Sequence, residues 1–184
     1  MQKKVLIPLA EGFEEIEAVT IIDVLRRADL HVTVVGVGAR EIMGAHGIKI
    51  TADILLDEYQ DTPDAVILPG GMPGSENVKR SPKVNEIVKK VYAQQKLVGG
   101  ICAAPAVALG PTGVLDGKKA TCFPGFEKQL PASVQFSEDR VVMDGNVVTS
   151  RGAGTSFEFS LKIVERLSGK EKSEQLRERM LVRF

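Results

Sequence analysis

The chain has 184 residues, and its 24 lysines and arginines balance 24 aspartates and glutamates, so no basic excess points to nucleic acid or an anionic membrane surface. That length suits one domain, residues 1–184, burying about two-thirds of the surface its unfolded chain would expose. Nowhere do the about 18 consecutive apolar residues of a transmembrane helix occur. The start "MQKKVLIPLAEGFEE" is too short an apolar stretch for a secretion signal, so a soluble, cytoplasmic protein with small or neutral partners is expected.

Short Val/Ile/Leu-rich runs alternate with longer helical patterns, the signature of a mainly parallel sheet covered by helices on both faces. Strands are expected at "KKVLIPL", "HVTVVGV", "DAVILPG" and "KLVGGI". Between them fall helices over Glu14 to Ala28 and Pro82 to Gln95, and a further helix beginning at or just after Cys102. The stretch "AREIMGAHGIKITADILLDEY" is too strand-like for a crossover helix and predicts an inserted hairpin. Asp144-Gly145 within "RVVMDGNVVTS" is a hairpin turn between β-branched runs. Thr155 with Glu158 predicts a capping box for "SFEFSLKIVERL". Gly169 separates that helix from a last one near Glu171 to Met180.

In an open α/β sheet, ligands gather at the carboxyl ends of parallel strands, and Cys102 directly follows such a strand. Free amides and the positive end of the next helix would favour its thiolate, and the small residues Gly99, Gly100, Ala103 and Ala104 permit a nucleophile elbow. The alternative is a small hydrophobe filling a core. "LPGGMPG", at the end of the preceding strand, offers backbone amides that with Ala103 would form an oxyanion hole; the alternative is a turn without a ligand. Steps of i+4, i+7 and i+11 from Glu17 reach Ile21, Val24 and Ala28, which puts its carboxyl on an apolar stripe. Burial there would raise its pKa and let it donate a hydrogen bond to a neighbouring thiolate; the alternative is a rotated helix with Glu17 in solvent. Glu14 and Glu15 are explained as first-turn acids.

No histidine follows Cys102, which disfavours a Cys-His protease. His31 opens a strand, and His46 lies in the inserted hairpin; neither has zinc-ligand spacing, so no metal is expected. Cys122 reads as a passive buried thiol, or else as a resolving thiol or secondary oxidation site. Ile16 and Val19 lie away from the Glu17 stripe, so the first helix has a second apolar face for a partner subunit, with Arg27 and His46 near a site at the interface.

Taken together, "GFEEIEAV", "LPGGMPG", "GGICAAPA" and "TSRGAGTSFEF" resemble the ThiJ/PfpI superfamily, in the branch of the parkinsonism-associated protein deglycase and bacterial YajL. The resemblance implies a flavodoxin-like (Rossmann-like) three-layer sandwich, a homodimer and no cofactor. It implies Cys102 as nucleophile, Glu17 as its acid partner, and Gly71 with Ala103, beside Gly70, as amides around an oxyanion pocket. Activities attributed to the branch are glyoxalase chemistry on methylglyoxal, removal of early glyoxal adducts, redox sensing and chaperone action. Two departures stand out. PfpI-type proteases carry histidine where this chain has Ala103, which argues against peptidase activity, and the human-type deglycase has histidine at the position of Phe123. The expectation is a cofactor-independent cysteine enzyme acting on α-oxoaldehydes or glycated substrates. The alternative is a redox sensor or chaperone working through Cys102 sulfinate, with a dimeric scaffold as the blander reading.

Overall fold

Val5, Ile7 and Leu9 alternate with Leu6 along the first strand, and each set is buried in a different core, because this strand lies mid-sheet with helices on both faces. The computed structural model describes residues 2–184. In chain order the elements are β1 (Lys4–Leu9), α1 (Glu15–Arg27), β2 (His31–Gly36), β3 (Glu41–Met43), β4 (Lys49–Thr51), β5 (Ile54–Leu55), β6 (Ala65–Leu68), α2 (Gly74–Lys79) and α3 (Pro82–Ala93). Then follow β7 (Leu97–Ile101), β8 (Lys119–Ala120), β9 (Gln135–Phe136), β10 (Val141–Asp144), β11 (Val147–Ser150), α4 (Ser156–Ser168) and α5 (Lys170–Arg179).

The main sheet runs β10-β11-β7-β6-β1-β2-β5, with only β10 antiparallel to its neighbour. Residues of α1 and α4 pack with Ile7, Ile67 and Ile101 on one face. Residues of α3 and the 104–115 segment pack with Leu6, Val66 and Val98 on the other. This is the expected three-layer, flavodoxin-like arrangement. From β1 the chain moves to β2 on one side and later returns to β6 on the other. The crevice at the carboxyl ends of β1 and β6 is therefore the topological switch point where such sheets bind ligands.

Several local expectations change. The inserted hairpin is present as β3 and β4, paired Ile42 to Ile50. Beyond it β5 joins the main sheet through only Val35–Ile54 and Gly36–Leu55, too short a pairing to leave a periodic signal. The helix expected after Cys102 is one wide π-type turn, Pro105–Leu109, followed by a tight turn at Gly110–Thr112. Thr155 does begin α4 but makes no side-chain cap. Its hydroxyl is instead taken by Ser150 Oγ at 2.6 Å and by Gly152. Glu158 pairs with Arg140 at 2.7 Å. A buried hydroxyl cluster thus replaces the capping box. Among the described residues, no helix is long and apolar enough to cross a membrane.

Candidate active site

The loop after β6 is clamped to the start of α1 through both sides of Gly70. Glu14 N–H donates to the Gly70 carbonyl at 3.0 Å, and Gly70 N–H donates to Glu17 Oε2 at 2.8 Å. Only glycine fits there, since a Cβ would stand 2.6 Å from Cys102 Cβ and 2.7 Å from Glu17 Oε2. Gly71 has φ +91°, and a Cβ on it would meet the Glu14 amide at 2.4 Å. The glycine pair therefore lets a loop from one strand lie directly on a helix that follows another.

Cys102 follows β7 with φ +63°, a left-handed conformation unusual for a side-chain-bearing residue and costing about 1–2 kcal/mol. Two backbone hydrogen bonds hold it there. Cys102 N–H donates to the Ser150 carbonyl at 2.9 Å, and the Cys102 carbonyl accepts from Phe123 N–H at 2.8 Å. The elbow is thus fixed from β11 on one side and from the loop after β8 on the other. Strain kept in place by flanking structure at a partly exposed cysteine marks a candidate functional site.

Glu17 is fully buried, as are Ile21 and Val24 on its stripe, while Ile16 and Val19 are exposed. Glu17 Oε1 is buried without a hydrogen-bond partner. Burial pushes this carboxyl up to about 7, against the hydrogen bonds from Gly70 and Cys102, and Glu14 adds to the rise. The sequence-based expectation for Glu17 agrees with this. For Cys102 the direction is reversed. Burial pushes the thiol up to about 12, and the charge and hydrogen bonding of the Glu17 carboxylate add to it. The backbone amides of Ala103 and Gly71 draw it back only in part. The expected thiolate stabilisation fails because the sulfur faces a buried carboxylate and because only one π-type turn follows it.

Cys102, Glu17, Gly70, Gly71 and Ala103 therefore converge, although the Gly70 amide is committed to Glu17. Arg27 does not join them within one chain. It lies at the far end of α1, about 15 Å along the helix from Glu17, in an exposed pair with Asp23. His46 sits at the β3–β4 tip, where its ring Nδ1 lies 2.9 Å from Glu15 Oε2 and 3.4 Å from Glu14 Oε2. Ligand atoms of Glu14, Glu15 and His46 approach within 4.8 Å of one another. However, the Glu15 carboxylate is already filled by the amides of His46 and Ile48 and by the His46 ring. Burial opposes its charge, but these bonds hold it down at about 2. Its task is to pin the hairpin to α1, a role hidden behind its reading as a first-turn acid. Cys122 is buried, and burial pushes its thiol up to about 11. Ser150 is a site residue that the expectations above do not include; its signal in the sequence is its place at the end of the strand beside β7.

The DJ-1/PfpI family pattern matches residues 3–166. Protein DJ-1 homolog B of Arabidopsis thaliana is 50% identical over 173 residues, which are 93% of this chain and 40% of that protein. The chain spans less than half the length of the Arabidopsis relatives it matches. The Caenorhabditis elegans protein named glutathione-independent glyoxalase DJR-1.2 is 38% identical, covering 95% of this chain and 94% of that one. Among solved structures, oxidized Toxoplasma gondii DJ-1 superposes with a TM-score of 0.95 at 40% identity, covering 99% of this chain and 100% of that chain.

Proposed function

Because this chain belongs to the DJ-1/PfpI family, we propose that it converts α-oxoaldehydes, or their early adducts, to hydroxy acids through Cys102 without a cofactor. The observation that carries this reading is the convergence of a strained, partly exposed thiol with a carboxyl whose pKa lies at about 7. Near neutrality half of Glu17 is ionised, which suits a base that must also return its proton. Glu17 takes the thiol proton as sulfur bonds the aldehyde carbon, and the Gly71 and Ala103 amides stabilise the resulting oxyanion. Protonation of that oxygen gives a hemithioacetal, R–CO–CH(OH)–S. Glu17 then removes the proton from this carbon and delivers it to the next, while the hydroxyl proton passes to the neighbouring carbonyl oxygen, leaving the thioester R–CH(OH)–CO–S. Water cleaves the thioester to the hydroxy acid and restores the thiol, so the net change is addition of one water. The glyoxalase name of the nematode relative supports this direction.

Cys102→Ser tests it. Lactate production from methylglyoxal should vanish while the thermal unfolding midpoint stays within about 3 °C; lactate formed at the wild-type rate would refute the mechanism.

A redox role through Cys102 sulfinate is favoured by the oxidized state named for the Toxoplasma neighbour and by the two amides already facing the sulfur. The exposed Ile16 and Val19 on α1, with Ile48 also exposed, support a homodimer.

A further inference from the structure

We infer that this site selects α-oxoaldehydes bearing an aromatic or bulky apolar group, and that Phe123 is the residue that selects them. The inference rests on the reaction proposed above. Phe123 is bonded to the nucleophile's own residue through its N–H on the Cys102 carbonyl. Its ring lies on Gly152, where an added Cβ would stand 3.1 Å from Phe123 Cδ2. Gly152 is two residues beyond Ser150, whose carbonyl holds the Cys102 amide. The ring is therefore bracketed by both anchors of the elbow.

Such a large apolar side chain would ordinarily be covered, yet Phe123 is 43% exposed. It is also held still. Phe126 N–H closes a turn on the Phe123 carbonyl at 3.1 Å, and the Phe126 ring meets it edge-on, with centroids 6.4 Å apart. The Glu127 carboxylate accepts from Gly125 N–H in the same turn at 2.8 Å. Met72 follows Gly71, whose amide favours charge on that sulfur, and is 44% exposed. Two exposed apolar side chains thus come from the two loops that flank Cys102. With the aldehyde carbon on sulfur and its oxygen on the Gly71 and Ala103 amides, the substituent is left to this rim. A fixed aromatic face is matched by a flat apolar group. Phenylglyoxal would follow the same balanced course, taking up one water to give mandelate and returning sulfur as the thiol.

The test compares kcat/KM for phenylglyoxal and methylglyoxal in the wild type, Phe123→Ala and Phe123→Tyr. In parallel, Cys102 is alkylated with iodoacetamide and with its N-phenyl analogue, which reads the subsite without turnover. Phe123→Ala should lower both phenyl-to-small ratios about tenfold, and Phe123→Tyr, which keeps the ring, should restore them. Ratios that stay the same in Phe123→Ala would overturn the inference. Should the wild type consume neither aldehyde while the alkylation ratio still falls in Phe123→Ala, the aromatic subsite stands and the proposed reaction fails.

Discussion

Replacing Glu17 with glutamine removes a buried carboxyl that must ionise for the proposed chemistry, so it should stabilise the fold at the pH where it abolishes activity. Burial raises this group from its ordinary 4.5 to about 7. At about 1.4 kcal/mol per pH unit, the rise is worth about 3 kcal/mol. The sign follows from proton counting: between 4.5 and 7 the folded state holds a proton that the unfolded state has released, so stability falls as pH rises through this window. The contribution is fully present below 4.5 and lost above 7. Cys102, pushed up to about 12, does not titrate in this range. Urea unfolding of the wild type and Glu17→Gln at pH 4, 6 and 8 measures the effect, and the difference between the two proteins cancels the other titrating groups. Relative to the wild type, the variant should gain about 3 kcal/mol between pH 4 and 8, a large share of a typical domain's 5–15 kcal/mol. Methylglyoxal turnover should be lost throughout. A difference that stays constant with pH would show that Glu17 ionises at the same pH in the folded and unfolded protein, and would refute the raised pKa on which its role as a base near neutrality rests.

Gly70→Ala should lower kcat/KM about a hundredfold, because its Cβ would stand 2.6 Å from Cys102 Cβ and 2.7 Å from Glu17 Oε2; it should also cost about 1–3 kcal/mol by overpacking, checked by denaturant unfolding. On mild peroxide treatment, intact and peptide mass should show two added oxygens on Cys102 and none on the fully buried Cys122. Oxidation of Cys122 first would count against the redox reading. Light scattering at micromolar concentration should give a dimer for the wild type and a monomer for Val19→Asp, which puts a charge on the exposed face of α1. A monomeric wild type would reject the interface.

What was legible in the sequence follows from how each element is covered. β1, β6 and β7 are buried on both faces, so their continuous apolar runs mark them to within a residue or two. Glu17 stands out in the sequence because a carboxyl interrupting an apolar stripe is a chemical contradiction that only a special environment resolves. Glu15 looked ordinary because first-turn acids are common. Its burial is decided by a hairpin some thirty residues further on, which no local pattern encodes. Thr155 fits the capping motif, but tertiary structure offered its hydroxyl a better set of partners around Ser150. The turn after Cys102 reads as a helix by composition; it is cut short at Gly110–Thr112, where the chain enters a tight turn capped by Gly113 at φ +82°.

The reversed pKa of Cys102 changes where the reactive proton resides, not how many there are. A thiolate beside a protonated carboxyl and a thiol beside a carboxylate contain the same single proton, so either form makes activity rise with pH through about 7. The environment decides between them. Glu17 Oε2 has the Gly70 amide to stabilise a charge, whereas the sulfur loses more by desolvation than its two amides return. At rest the proton is therefore on sulfur. In the proposed reaction it would cross to Glu17 only when a bound aldehyde offers the electrons of sulfur a carbon to bond, with the Gly71 and Ala103 amides placed for the negative charge that then moves to oxygen. In the proposed reaction a thiol held neutral in this way attacks where carbon, oxyanion donors and base are in place together. In the proposed reaction Phe123 and Glu17 would thus act at different stages: the ring would govern which aldehyde reaches the sulfur, and the carboxylate whether the sulfur can attack it.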